Sequence, residues 1–369
     1  MNEVAILKGY RPLCFFYESG NDYLLCSKGY CLYRVDCNSL VATYLEKFDQ
    51  GVLDTFKSKF RFVRRILRLG FSSAVKLDAH LFLLSDSKSF YLYDKKTNKL
   101  SILDNKALIT PPLTLNVSNQ ASFLYYGEYV KVGSDDIPCV YGVTKEGDIF
   151  EIFRFPKGAI DHIHYVYYLR NKHKLLILTG DFSSEIGIWA YSFATNELAP
   201  IFQKGQSSRF CWMHMRGSRI VTATDSQIEV NYQKSLFITG DSSEVTSVED
   251  HAKICGSSIY SCEKQDEIFY STAIEPGPPS GNLIKDLLEV KLGSGIKDNF
   301  SRIYSFDWHK LDYGKVVIQA KKDFMPPRLG QFGTFFFPGG VNDTKYLFCY
   351  GMAVKKYHDC LVRIDRENL

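Results

Sequence analysis

The sequence predicts an all-β fold: a single β-propeller domain over residues 1–369, with about seven four-stranded blades and six as the alternative. Short runs rich in β-branched and aromatic residues recur roughly every 8 to 12 residues, punctuated by turn signals such as SGND, KKTN, KEGD and FATN. Grouped in fours, the runs repeat with a period of about 40 to 50 residues, that of propeller blades. The final segment offers only three runs, and the N-terminal EVAILK can supply the fourth, closing the ring without an open sheet edge.

The blades follow in order. The first spans Leu13 to Lys47, the second Ser72 to Asp104, and the third Leu113 to Phe155, with FLYYGEY as its second run. The fourth is the clearest: DHIHYVYYLR, KLLILTGD, GIWAYSF and ELAPIFQK, from Asp161 to Lys204. A fifth runs from Phe210 to Asp250 and a sixth from Ser257 to about His309, widened by the loop EPGPPSGNL. The last comprises GTFFFPGG, KYLFCYGM and DCLVRID. Helical periodicity is confined to FKSKFRFVRRIL near Phe56 and DLLEVKL near Asp286.

A length of 369 residues suits this plan, because each blade extends a repeat fold without enlarging one central core. The 27 Phe and 24 Tyr favour strands over helices. Lys and Arg outnumber Asp and Glu by only 45 to 41, too small an excess to steer nucleic acid or an acidic membrane. There is neither a basic segment ahead of a long apolar run nor an 18-residue apolar stretch. The expectation is a cytoplasmic protein with no membrane span. Its 10 cysteines include no C-x-x-C and read as reduced core thiols, although Cys26 with Cys31, or Cys255 with Cys262, can pair under oxidising conditions.

In a propeller, the start of each first strand, the end of each second strand and the connections between blades share one face. Seven polar segments fall at such positions: Arg64–Gly70, Gly127–Tyr129, Asp161–His164, Thr179–Asp181, Gly205–Arg209, Thr222–Ser226 and Pro326–Gln331. Alternation along a strand points His162 and His164 the same way, with Ile163 opposite. Two such imidazoles can transfer protons, bind a ligand or metal, or simply cap channel carbonyls. No third ligand has a spacing readable from sequence, so no metal and no cofactor are expected.

Glu128, Asp181 and Asp225 occupy equivalent places in consecutive blades and suit acid–base or nucleophilic work at a glycosidic bond. Gly-Asp is also ordinary turn chemistry. Arg68, Arg209 and Arg328 can present guanidinium forks to an acidic ligand, with Gln206 and Gln331 in the same connections. Tyr129, Trp212 and Phe332 offer stacking faces, or core packing.

From Leu124 to Tyr232, the string GEY, FPKGAIDHIH, LILTGDFSSEIGIW, GQSSR, TATDSQIEVNY resembles a family of sialidase-like, Asp-box-related β-propellers of poorly defined activity, often accompanying bacterial surface-polysaccharide genes. The resemblance reaches RRILRLG and KDFMPPRLGQFGTFFFPGG more weakly. It implies a glycan-related role. TKEGDIFEI and SFATNELAP are only degenerate Asp boxes, and the arginine, tyrosine and acid set of true sialidases is missing. Sialidase activity therefore does not transfer. The expected function is a glycoside hydrolase, or a polysaccharide lyase with a histidine base, Tyr129 as proton donor and an arginine on the uronate. Its partner is an acidic oligosaccharide or polysaccharide. The alternative is a non-catalytic glycan-binding or protein-interaction scaffold.

Overall fold

The computed structural model describes residues 4–48, 56–57, 60–86, 88–103, 123–130, 136–181, 185–239 and 244–365. Their strands form seven antiparallel sheets, the blades of a propeller. Blades one to six occupy residues 11–47, 73–103, 124–154, 162–202, 214–254 and 257–321, in simple up-and-down order. Three strands of the third blade are described, and its first strand, expected at Leu113, lies outside the described residues. The seventh blade takes Thr334–Phe336, Tyr346–Met352 and Cys360–Asp365 from the C-terminal end and Val4–Lys8 from the N-terminal end. Val4–Lys8 pairs antiparallel with Cys360–Ile364, which closes the ring.

Apolar residues alternate along strands that lie between two neighbouring sheets, so the core divides into interfaces between blades. Leu13, Leu25 and Leu32 of the first blade meet Phe82 and Tyr93 of the second and Phe71 just ahead of it. Equivalent clusters join each following pair, and Phe15, Leu24 and Val35 meet Phe348 and Leu361 across the closure. The outermost strands, such as Ala42–Lys47 and Glu197–Phe202, are largely solvent-facing.

Three details differ from the sequence reading. The sixth blade runs on to Lys321, because residues 274–299 intervene between its second and third strands. The first strand of the fifth blade is short and starts at His214, with Phe210 left as an isolated bridge to Thr224. The two helix-like segments form short helices, α1 (Arg61–Ile66) and α2 (Leu283–Leu288). No helix among the described residues is long and apolar enough to cross a membrane. All ten cysteines are free thiols.

Candidate functional site

The first strand of the fourth blade, His162–Leu169, carries a bulge between Ile163 and Tyr165, so His164 has no counterpart in the facing strand. Bulges re-aim side chains. Here the two imidazoles converge, with His162 Nε2 and His164 Nε2 3.1 Å apart, while Ile163 packs into the interface with the third blade. The second strand ends on Gly180 and delivers Asp181 to the same place. A Cβ on Gly180 would collide with His164 Cε1, so the imidazole occupies the space that a side chain there would need. Gly127 has the same role in the preceding blade, its missing Cβ leaving room for Ile163.

Asp181 Oδ2 lies 3.3 Å from His162 Nε2, and Oδ1 lies 3.3 Å from His164 Nε2. Arg209 Nη2 is 2.6 Å from Asp181 Oδ1 and 3.1 Å from Asp225 Oδ2, tying together the second-strand ends of blades four and five. Gln206 reinforces the tie: its Nε2 donates to the Asp181 carbonyl and its Oε1 accepts from Ser226 Oγ, both at 2.8 Å. Cys211 Sγ donates to Asp225 Oδ2 at 3.1 Å and lies 3.3 Å from His164 Nδ1. The Tyr129 ring packs against His162 at a tilt, with centroids 4.0 Å apart.

Burial opposes ionisation of Asp181, yet its contacts with His162 and His164 and the Arg209 charge hold its carboxyl well below the usual range. Burial lowers the pKa of His162 despite Asp181. Burial, then the Asp181 charge, raises the Tyr129 hydroxyl well above its usual value, and burial with Asp225 does the same for the Cys211 thiol. Two groups of metal-ligand type arise among the described residues: His162, His164 and Asp181, and His164, Cys211 and Asp225.

Beside this cluster is a cavity of ≈ 250 Å³ whose wall includes Cys211 and Trp212. Arg61, Arg64, Arg65 and Arg68, on and after α1, line it together with Arg11 from the first strand of the first blade. Three of these arginines are engaged: Arg61 and Arg64 bind Asp359 at 2.7 and 2.9 Å, and Arg65 binds Asp323. The guanidinium groups of Arg11 and Arg68 make no hydrogen bond or ion pair with any described residue. That of Arg11 lies 4.6 Å over the Phe336 ring.

The sequence-selected residues therefore divide. His162, His164, Tyr129, Asp181, Arg209 and Asp225 come together, with Gln206 behind them. Arg68, Trp212 and Gln331 line the cavity, with Gln331 donating to the Arg65 carbonyl at 3.0 Å. The Trp212 ring is buried and its N–H donates to Ser258 Oγ at 2.9 Å, so it packs as core instead of offering an open platform. Phe332 packs against the interface of blades five and six. Glu128 is also buried, its carboxylate accepting from the Cys139 N–H beside Tyr126 and Tyr141. The Arg328 guanidinium donates to the carbonyls of Gly277 and Asp286 in the sixth-blade insertion.

Two residues escape the sequence reading. Arg11 sits in a β-run with nothing to mark it. Glu275 opens the insertion EPGPPSG, which reads as loop, yet it is buried beside the cluster and accepts from Ser257 Oγ at 2.8 Å. Burial, then the Asp225 charge, pushes its carboxyl up to about 8. Only the unusual choice of Glu between a strand and the proline-rich PGPP hints at it.

No family model matches the chain, and no curated protein matches it. Among solved structures, an oligogalacturonate lyase from Vibrio parahaemolyticus is similar at 9% identity over 98% of this chain and 91% of that one, with a TM-score of 0.59. The Cps50 (Swd1) β-propeller domain of Myceliophteria thermophila is similar at 10% identity over 99% of each chain, with a TM-score of 0.55. A chain of a mitotic checkpoint complex is similar at 12% identity over 99% of this chain and 94% of that one, with a TM-score of 0.54. These likenesses share the propeller and nothing finer, so the chain is a seven-bladed β-propeller with four-stranded antiparallel blades.

Proposed function

We propose that this chain is a carbohydrate-active protein of sialidase-like type whose ligand is an acidic glycan, and that lyase chemistry is its leading reaction class. One observation carries the reading: a cavity lined by five arginines, of which Arg11 and Arg68 have no acidic partner among the described residues. A carboxylate or sulfate on a glycan supplies the missing partner, and a guanidinium pairs with it in a fork. In a polyuronate lyase, a base removes the proton α to the carboxylate, and the glycosidic oxygen leaves as the double bond forms. Arginine on the carboxylate stabilises the charge that develops. The histidine pair and the Tyr129 hydroxyl are the proton-transfer groups beside the cavity wall, linked to it through Cys211.

Hydrolysis is less well supported. Asp181 and Asp225 share Arg209, and the Glu128 carboxylate is held by Cys139, so none of the three is set up as a protonated acid facing the cavity. A non-catalytic glycan binder is the second reading, favoured by the near-complete burial of His162, His164, Arg209 and Asp225, at 0%, 3%, 4% and 2% exposure. Incubation with uronate, sialate and sulfated oligosaccharides separates these outcomes. Lyase action gives unsaturated uronates by absorbance, hydrolysis gives new reducing ends without them, and a binder gives affinity without turnover. Failure to bind any acidic oligosaccharide overturns the proposal.

A further inference from the structure

We propose that His162 Nε2, His164 Nε2 and the Asp181 carboxylate form a binding site for a divalent transition-metal cation. The argument begins with the tautomer of His164. Its Nδ1 lies 2.9 Å from the Phe210 carbonyl oxygen, which can only accept, so Nδ1 carries the hydrogen. In the neutral ring, Nε2 then presents a lone pair. That lone pair faces His162 Nε2 at 3.1 Å and Asp181 Oδ1 at 3.3 Å. His162 has one hydrogen at most to place between these atoms while neutral, and its own Nδ1 is buried without a hydrogen-bond partner among the described residues. Two nitrogens and a carboxylate thus converge with too few hydrogens among them. A cation at their centre satisfies both Nε2 lone pairs and the carboxylate.

The spacing fits as well. Nitrogen and oxygen ligands about 2.0 Å from a tetrahedral ion lie about 3.3 Å from one another; here the two Nε2 atoms are 3.1 Å apart, and each lies 3.3 Å from a different oxygen of Asp181, Oδ2 for His162 and Oδ1 for His164. The surroundings are those of a ligand set. A metal-binding histidine characteristically donates its other N–H to a carbonyl, as His164 does to Phe210, and the Asp181 carboxylate is held from behind by its ion pair with Arg209. Two imidazoles with one carboxylate suit Zn²⁺, Mn²⁺, Co²⁺ or Fe²⁺ and leave further positions for water or an oxygen of a ligand. Sequence spacing conceals the set, because the third ligand comes from the neighbouring strand and the second is placed by a bulge. The inference does not rest on the glycan reading, but it changes the role that reading gives the histidine pair. Where the cation binds, His164 keeps its lone pair for it and proton transfer falls to Tyr129.

The test needs no substrate. The full chain is stripped with a chelator, then titrated with ZnCl₂, MnCl₂ and CoCl₂ by calorimetry, with visible spectra recorded for cobalt. One equivalent of at least one cation binds, and Co²⁺ acquires d–d absorption bands. His162→Ala and His164→Gln each weaken binding by about 100-fold or more, whereas replacing the exposed His309 by Ala leaves it unchanged. Circular dichroism confirms that the variants are folded, and His162→Gln replaces His162→Ala if the latter is not. Absence of saturable binding by the wild-type chain, or undiminished binding in both folded histidine variants, overturns the proposal.

Discussion

Between the fourth and fifth blades, the Arg209 guanidinium lies within 3.1 Å of two carboxylates and the space around it is closed, whereas Arg11 and Arg68 face a cavity of ≈ 250 Å³ and no carboxylate of their own among the described residues. The first region resembles the inside of a stable protein, where burying a charge is tolerated only when it is paired. The second leaves positive charge beside empty volume. A ligand with an acidic group would complete that arrangement. The same residue type therefore has two fates in one channel, and the difference predicts which substitutions unfold the chain and which empty its site.

The largest effect is expected at Arg209. Arg209→Met strands Asp181 and Asp225 as buried, uncompensated carboxylates and should cost about 3–5 kcal/mol in chemical denaturation. A loss below about 1 kcal/mol would mean that the two carboxylates find other partners.

Gly180→Ala comes next. The new methyl must displace the His164 ring, so a loss of about 1–3 kcal/mol is expected, together with a shift of the His164 imidazole signals in NMR. Gly277, where an added Cβ would meet nothing within 4 Å, is the control, and Gly277→Ala should stay within about 0.5 kcal/mol.

How far these contacts are legible in the sequence depends on their range. The blades can be read because each strand announces itself locally, through alternation and a turn. The meeting of His162, Asp181, Arg209 and Asp225 follows from strand position alone, since the propeller repeats its geometry blade by blade. Arg11 and Glu275 cannot be read, because what distinguishes them is a neighbour hundreds or tens of residues away: Phe336 for one, Asp225 for the other. Arg328 has the right position, but its side chain is engaged by the sixth-blade insertion, whose path no local pattern reveals.

Glu275 sharpens the comparison through pH. Burial and Asp225 raise its carboxyl to about 8, against about 4.3 in an unfolded chain. The folded state therefore holds a proton that the unfolded state releases between those values. The stability associated with this proton is complete below about pH 4.3 and is lost as pH rises through 8. Glu275→Gln keeps the neutral form throughout. It should match the wild-type melting temperature near pH 4.5 and exceed it near pH 8. Parallel melting curves for the two proteins across that range would show that Glu275 ionises normally in the fold.

The smallest effect on stability, and the most informative on function, belongs to Arg68. Its side chain is exposed and makes no ion pair with a described residue, so Arg68→Gln should leave folding free energy within about 0.5 kcal/mol. The decisive measurement is the affinity of wild-type protein and Arg68→Gln for the tightest-binding acidic oligosaccharide of the panel and for its carboxyl-reduced counterpart. If the cavity is a site for an acidic glycan, the wild type prefers the acidic form, and the substitution removes about tenfold or more of that preference at unchanged stability. Equal affinity for the acidic and reduced forms, or an undiminished preference in the variant, would contradict the account.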